Sequence, residues 1–552
     1  MAGRDRSPVP SDSQRLAMST LTRRSVLKTS AALGAGALAA STPLQAIYAA
    51  AQDDAAQLTM AVEADPSTLD PHVNSNTRDS IFFHALFDRL IERSPDGNLF
   101  PGLANEWSVG EDNVTWTLAL RDDVTFQDGT PFNAEAVVFN LERIVNPDTK
   151  SEYAVFQLGP YESSRAVDEY TVEIVLSEPY GPLPVSLATY ALSMVSPAAA
   201  EAAGEAFGQN PVGSGPFTFV EWVPQNQVVL ERSPDYNWAS EIHPVSGPAQ
   251  LARLTFRPIV EPATRGAALF AGEVDIAILA ASDFAALEGD DNYRQETILT
   301  EGYPPAGLFV NTQRAPTDDV LVRQALAFGV NRDEVNQVVY EGASGPADSV
   351  ISNFGWAYNP ESALYNYDPE RAGQLLDEAG WTMGDAGVRQ KDGEDLTIVH
   401  LALTSVRQVA EIVQAQLTDI GVNVELLVQD NPAQQQSAQQ GLHNLVWTQW
   451  SGVDPADLRK VYGSENIGDG WNFAHYDNPE LDAMFLEGAA LNDTEERRAV
   501  YDQVSMLLME DATFIPLNNR TVFMGVKANV RGTDVIDERG SMPRIYDASI
   551  EG

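Results

Sequence analysis

The chain has 552 residues, 79 of them acidic and 34 basic, for a formal net charge of −45 at pH 7, and only five of the basic residues are lysine. A surface this acidic repels phosphate backbones and anionic lipid, which argues against a nucleic-acid or membrane-surface partner. With no cysteine there are no disulfides, thiolate metal sites, cysteine nucleophiles or lipidated cysteines, while 44% hydrophobic residues are enough for the cores of two or three lobes.

The amino-terminal residues 1–51 read as an export signal rather than part of the fold. Arg23 and Arg24 precede a short, weakly apolar run over 29–40, and Ala49-Ala50-Ala51 offers a cleavage site. The order is that of a twin-arginine signal. A membrane anchor would need about 30 Å of hydrocarbon length, which this Gly- and Ala-rich run does not supply. Removing the segment takes away six basic and two acidic residues and leaves net −49. Such acidity fits a saline habitat, and a genome biased toward arginine codons would deplete lysine equally well. The mature chain is expected outside the cytoplasm, periplasmic or extracellular.

In chain order, residues 58–64 alternate as a strand and run into the loop Pro66-Ser67-Thr68-Leu69-Asp70-Pro71. Helical spacing of Phe82, Phe83, Leu86, Phe87 and Leu90 predicts a helix over 80–91. A strand at 114–120 is followed by the turn Asp128-Gly129-Thr130-Pro131 and a helix over 134–144 capped by Asn133. Strands are expected at 171–176, 217–222, 227–232 and 251–258, then a helix at 264–271 and a strand at 274–278. The second half alternates more regularly: strand 306–311, helices 320–329 and 369–379, strand 396–402, helix 406–420, strand 422–428, an exposed helix 433–440 and strand 442–449. This rhythm predicts an α/β fold with mostly parallel sheets and helices on both faces.

Catalytic motifs are missing. There is no Gly-x-Ser-x-Gly elbow, no phosphate-binding loop and no dinucleotide fingerprint outside the export signal. The six histidines, at 72, 84, 243, 400, 443 and 475, lack metal-ligand spacing, so no metal or other cofactor is expected. Adjacent acidic pairs such as Asp122-Asp123 diverge along a strand or helix and read as solvated surface. One segment stands out: Trp447-Thr448-Gln449-Trp450-Ser451-Gly452-Val453-Asp454-Pro455, with Trp471-Asn472-Phe473 beyond it. It lies where a predicted strand turns into a loop, the usual edge for a ligand in an α/β sheet. Trp447 suits a core plug and a cleft wall equally, whereas Trp450 favours the cleft.

Six blocks carry a family resemblance: Ser67-Thr68-Leu69-Asp70-Pro71, Pro101-Gly102-Leu103-Ala104-Asn105-Glu106-Trp107, Phe126-Gln127-Asp128-Gly129-Thr130-Pro131-Phe132, Val212-Gly213-Ser214-Gly215-Pro216-Phe217, Val322-Arg323-Gln324-Ala325-Leu326 and Tyr476-Asp477-Asn478-Pro479-Glu480-Leu481-Asp482. In this order the chain resembles the extracytoplasmic solute-binding proteins of family 5, the peptide- and nickel-type receptors of ABC importers. The resemblance implies a type II periplasmic-binding-protein fold of two hinged lobes plus an extra domain. It places the first lobe at 52–95, 210–304 and 513–552, the extra domain at 96–209 and the second lobe at 305–512. Most of the blocks are structural, with Gly129 and Gly215 there for positive φ or close packing.

The resemblance further implies a cleft lined by Asn76, Thr77 and Arg78, by the segment holding Trp447, Trp450, Ser451 and Asp454, by Trp471, and by the start of the helix carrying Arg407. Peptide-binding relatives place an aspartate where Ser451 stands. Its loss disfavours a dipeptide with a free amino end unless Asp454 takes over. Arg78 and Arg407 suit an anionic group on the ligand, or a surface salt bridge. The implied function is capture of a small solute by lobe closure and delivery to an ABC-importer permease, by a monomer. The rival readings are an exported hydrolase acting on glycans or peptides and a sensory ligand receptor. Peptide, nickel chelate and oligosaccharide all stay open as cargo.

Overall fold

Leu58 and Met60 point one way from an extended segment and are fully buried, so the strand Gln57–Val62 is anchored by one apolar face. It holds the middle of a seven-stranded sheet in the order Tyr293–Thr300, Arg520–Lys527, Ile276–Leu279, Gln57–Val62, Arg253–Pro258, Gln227–Arg232 and Phe217–Val223. The computed structural model describes residues 56–551 except 301, 451, 535 and 538–541, so the expected export signal lies outside the described residues. A second sheet of five strands runs Asn423–Gln429, Thr397–Leu403, Leu445–Thr448, Ala306–Val310 and Phe514–Asn518. A third, antiparallel sheet joins Ala104–Val109, Thr115–Leu120, Thr171–Leu176 and Tyr161–Asp168.

The expectation of mostly parallel sheets is corrected. Gln57–Val62 pairs parallel with both of its neighbours, and Thr397–Leu403 does the same in the second sheet, but the other ladders of these two sheets are antiparallel. Two causes are visible. Phe217–Val223 and Gln227–Arg232 form a hairpin, whose strands must oppose. Arg520–Lys527 enters the first sheet after leaving the second, and so arrives from the opposite end.

The core among the described residues divides in three, the smallest part gathering Ala61, Leu269, Ala277, Phe284 and Phe523. Leu58, Phe82, Phe256 and Met524 of the first lobe are continuous with Trp116, Leu141 and Val172 beneath the four-stranded sheet. Leu308, Leu326, Leu401, Val413 and Phe514 form a separate second core. The chain passes between the two large sheets at Thr300 to Ala306 and again at Asn519. Because Phe514–Asn518 pairs with Ala306–Val310, the return crossing falls at Asn519, not at the expected 512. Asn519 is fully buried and held from several sides. Its backbone N–H donates to Gly345 O at 2.9 Å, its Nδ2 donates to Asn353 Oδ1 at 2.8 Å, and Ser352 Oγ donates to its Oδ1 at 2.6 Å.

The first helix is shorter than its periodicity suggests, Ser80–Leu86, and the chain is extended from Phe87. Side chains just beyond it are drawn into the core. Asp88 accepts hydrogen bonds from Ser214, Tyr236 and Trp238, and Arg89 pairs with Glu92 at 2.5 Å, Glu92 also meeting Arg544. The helix Ala134–Val145 begins as expected, with Asn133 Oδ1 accepting from Ala136 N–H at 3.0 Å. Gly129 has φ +82°, and a Cβ at Gly215 would lie 2.5 Å from the Leu86 carbonyl carbon. The end of the second lobe's helix Pro479–Ala490 and the loop after it also touch the extra domain: Gly181 N–H donates to Ala489 O at 2.8 Å, and Asn492 Nδ2 to Asn113 Oδ1 at 3.1 Å.

Candidate functional site

A cavity of about 580 Å³ opens between the two large sheets, a size suited to a small solute. Three parts of the chain wall it. Ser75, Thr77, Arg78 and Arg520 come from the first lobe and its return strand. Glu152, Tyr153 and Phe156 come from the short helix Tyr153–Leu158 of the extra domain. Asn431, Gln449, Trp450, Lys460, Asn466 and Trp471 come from the second lobe. A surface groove of about 610 Å³ near Asp70, Arg143 and Lys150 is lined wholly by the first half of the chain, so lobe closure would not enclose a solute there.

Trp450 is placed by the crossing segment beside it. Its N–H donates to Pro304 O and its carbonyl accepts from Tyr303 N–H, both at 3.1 Å. Its ring meets Trp471 edge-on with centroids 5.5 Å apart, and Trp471 in turn packs on Phe473 at 5.7 Å. The loop before Trp471 is tied down by Gln439 Nε2, which donates to Asp469 O at 2.9 Å. Trp471 is nonetheless 40% exposed, an aromatic face presented to the cavity.

The charged wall is cationic. Arg78, Lys460 and Arg520 line it with Glu152 as the one carboxylate among the described lining residues. Arg78 Nε lies 3.5 Å from Glu63, which also lies 3.5 Å from the buried Arg265. Burial, with Arg78 next in size, holds the Arg520 guanidinium below its ordinary pKa, while Glu63 and Asp537 oppose the shift. Lys460 Nζ is 2.5 Å from Asp457 and 3.2 Å from the centre of the Phe156 ring, a cation–π contact from the second lobe to the extra domain. Burial lowers the Lys460 pKa, against the pull of Asp457.

Of the residues singled out in the sequence, Thr77, Arg78, Trp450 and Trp471 meet at this cavity. Asn76 stands behind it as a cap, accepting from Arg78 N–H and donating to Asp79 Oδ1 at 3.2 Å. The other expected positions depart. Trp447 is 8% exposed and packs in the second core, because its strand directs it inward. Asp454 is engaged by Arg497, whose NH1 lies 2.9 Å from Oδ2 and whose NH2 lies 2.5 Å from Oδ1, so it faces a buried guanidinium and not the cavity. Arg407 points to solvent beside Glu411 at 3.5 Å, off the cavity wall. Ser451 lies outside the described residues. Sequence reasoning missed Glu152, Tyr153, Phe156, Lys460 and Arg520. Lys460 alone carried a signal, as one of five lysines in the chain.

No group of three His, Asp or Glu side chains among the described residues is arranged to hold a metal ion. Nor is any helix among them long and apolar enough to cross a membrane.

Comparison with known proteins bears on the family and the fold. Heme-binding protein A of Haemophilus influenzae is 29% identical over 493 residues, covering 85% of this chain and 87% of that protein. Glutathione-binding protein GsiB of Escherichia coli O157:H7 is 28% identical over 517 residues, covering 92% and 97%. The solved structure of NikA from Brucella suis in complex with Fe(III)-EDTA superposes with a TM-score of 0.79 over 90% of this chain and all of that one, at 24% identity, a likeness of fold. The family profile described as bacterial extracellular solute-binding proteins, family 5 middle, matches residues 98–468, more than half the chain, and the protein therefore belongs to that family.

Proposed function

We propose that this protein is an exported receptor that captures a small, anion-bearing solute of peptide or peptide-like kind between its lobes and delivers it to the permease of an ABC importer. The supporting observation is the charge of the cavity wall. Three cations, Arg78, Lys460 and Arg520, stand against Glu152 in a chain of net −45. A cationic focus inside an acidic surface selects for negative groups on the ligand, and guanidinium forks match carboxylate geometry. The faces of Tyr153, Phe156, Trp450 and Trp471 add contact area at small rotamer cost. The two relatives are named for heme and glutathione, small solutes that both bear carboxylates.

Capture proceeds by closure. Arg78 and Arg520 stand on one lobe and Trp450 and Lys460 on the other, so a bound solute makes its full set of contacts only when the lobes meet, and the contact difference sets the hinge equilibrium. The lobes run through 56–95, 210–300 and 519–551, and through 306–518, with the extra domain at 96–209. The twin-arginine signal ending near Ala51 directs the chain out of the cytoplasm, where it acts as a monomer.

Thermal-shift measurement on the mature chain, residues 52–552, tests the reading with paired ligands: short peptides carrying a free carboxylate and the same peptides capped as amides. The melting temperature rises with ln(1 + [L]/Kd) for any ligand of the native state. The free acids are expected to bind at least tenfold more tightly, with Arg78→Ala erasing the difference. Equal shifts by acids and amides would sink the anionic assignment.

A further inference from the structure

The cavity does not end at Phe156 and Lys460. On their far side a second compartment, also of about 580 Å³, lies between the extra domain and the second lobe, and Phe156, Lys460 and Asn466 line both. The two spaces therefore share a wall made of the one cation–π contact that joins Lys460 to Phe156, with Nζ 3.2 Å from the ring centre. The character changes across that wall. The second compartment is lined by Pro160, Pro179, Phe485, Leu486, Ala489 and Ala490, and its charges balance: Arg459 pairs with Glu465 at 2.8 Å, and Lys460 is matched in charge by the exposed Glu178.

Two large apolar side chains at this place are exposed to a degree unusual for their type: Phe156 at 41% and Leu486 at 47%. Both face the second compartment, Phe156 from Tyr153–Leu158 and Leu486 from Pro479–Ala490. Exposed apolar surface gathered in one concavity, continuous with a ligand cavity, marks a place for apolar ligand atoms. Either space alone suffices for a small solute, so the pair suits a solute longer than the first cavity holds.

We infer that the second compartment is a tail subsite: the solute is amphiphilic, with its anionic head among Arg78, Arg520 and Trp450 and an extended apolar portion passing the Phe156–Lys460 wall to lie against Leu486, Phe485 and Pro179. The inference rests on the anionic reading of the first cavity. It adds a length requirement to it, and it gives the extra domain a part in selecting the solute, because Phe156, Pro160 and Pro179 belong to that domain.

The test is calorimetric titration of the mature protein with N-acylated alanyl-alanine, the acyl chain running from acetyl to dodecanoyl, alongside the same series capped as C-terminal amides. Affinity is expected to rise with chain length by about fourfold per methylene that becomes buried, until the second compartment is filled. Leu486→Arg, at an exposed position, is expected to flatten that rise while leaving the acetyl compound unchanged, and the milder Leu486→Gln to reduce it. No dependence on length, or a dependence that both variants leave intact, overturns the tail subsite while the anionic head reading stands. A rise with length that is equal for acids and amides overturns the head reading and keeps the tail. No binding by any member overturns both.

Discussion

Acidification should destabilise both lobes through their buried histidines. Four histidines are buried with their pKa values lowered, His72 and His84 in the first lobe and His400 and His443 in the second, and for His84 burial is again the largest cause. His72 and His400 have pKa values lowered to about 4 and His443 to about 3, chiefly because burial penalises the imidazolium, with Arg143 adding to the effect at His72. The local bonding agrees: His72 Nδ1 faces Arg143 at 2.7 Å while its Nε2 meets Ser193 O at 2.9 Å, and neither ring nitrogen of His400 has a hydrogen-bond partner among the described residues. An unfolded histidine titrates near pH 6.5, so from about 6.5 down to 4 the unfolded chain binds protons that the folded chain does not. Stability is then full above pH 6.5 and falls as pH falls, by about 2 kcal/mol per histidine at pH 5. Asp79 acts in the opposite sense. Burial raises its pKa to about 6, and its protonation returns about 1 kcal/mol to the first lobe by pH 5. His400 and His443 therefore cost the second lobe about 4 kcal/mol at pH 5, while in the first lobe His72 costs about 2, His84 adds to the loss in the same sense, and Asp79 returns about 1. Urea unfolding followed by tryptophan fluorescence at pH 8, 6.5 and 5 should show stability falling with pH. In His400→Leu the loss of stability between pH 8 and pH 5 should be smaller by about 2 kcal/mol. Stability that is flat from pH 8 to 5, or an unaltered slope in that variant, would refute the reasoning.

The two neighbouring tryptophans should separate by readout: Trp450→Ala weakens ligand binding by about 1–3 kcal/mol with little change in melting, whereas Trp447→Ala costs about 3–5 kcal/mol of stability in urea titration. Asp454→Asn leaves the buried Arg497 charge without its partner and should destabilise the second lobe by about 3–5 kcal/mol, most of it recovered in Asp454→Asn with Arg497→Met. A large loss of ligand affinity in Asp454→Asn at undiminished stability would return Asp454 to the cavity.

The parts of the fold legible in the sequence were those where one local rule decides the outcome. Asn133 caps a helix because a side-chain oxygen three residues before Ala136 reaches its N–H, and the pattern of 57–62 is a strand under any packing. Pairing direction was not legible. A strand–helix rhythm describes neighbours in sequence, and in this chain the decisive neighbours are Arg520 and Asn519, which bring the carboxyl end back across both sheets. The helix expected to reach residue 91 stops at Leu86 because Asp88 and Glu92 bond to Trp238 and Arg544, partners far away in sequence.

The cavity follows the same division. Aromatic richness pointed to the segment after Leu445–Thr448, and two of its residues parted by strand alternation: Trp447 inward to the core, Trp450 past the strand end to the ligand space. Asp454 looked like a substitute anion for a ligand amine because its partner, Arg497, lies on a helix with no sequence mark of the contact. Once Asp454 is neutralised by Arg497, the carboxylate left on the cavity wall is Glu152, from the extra domain, and the cations outnumber it. On the proposed anionic reading, the Asp454–Arg497 pair matters because it holds a carboxylate close to Lys460 away from the cavity wall.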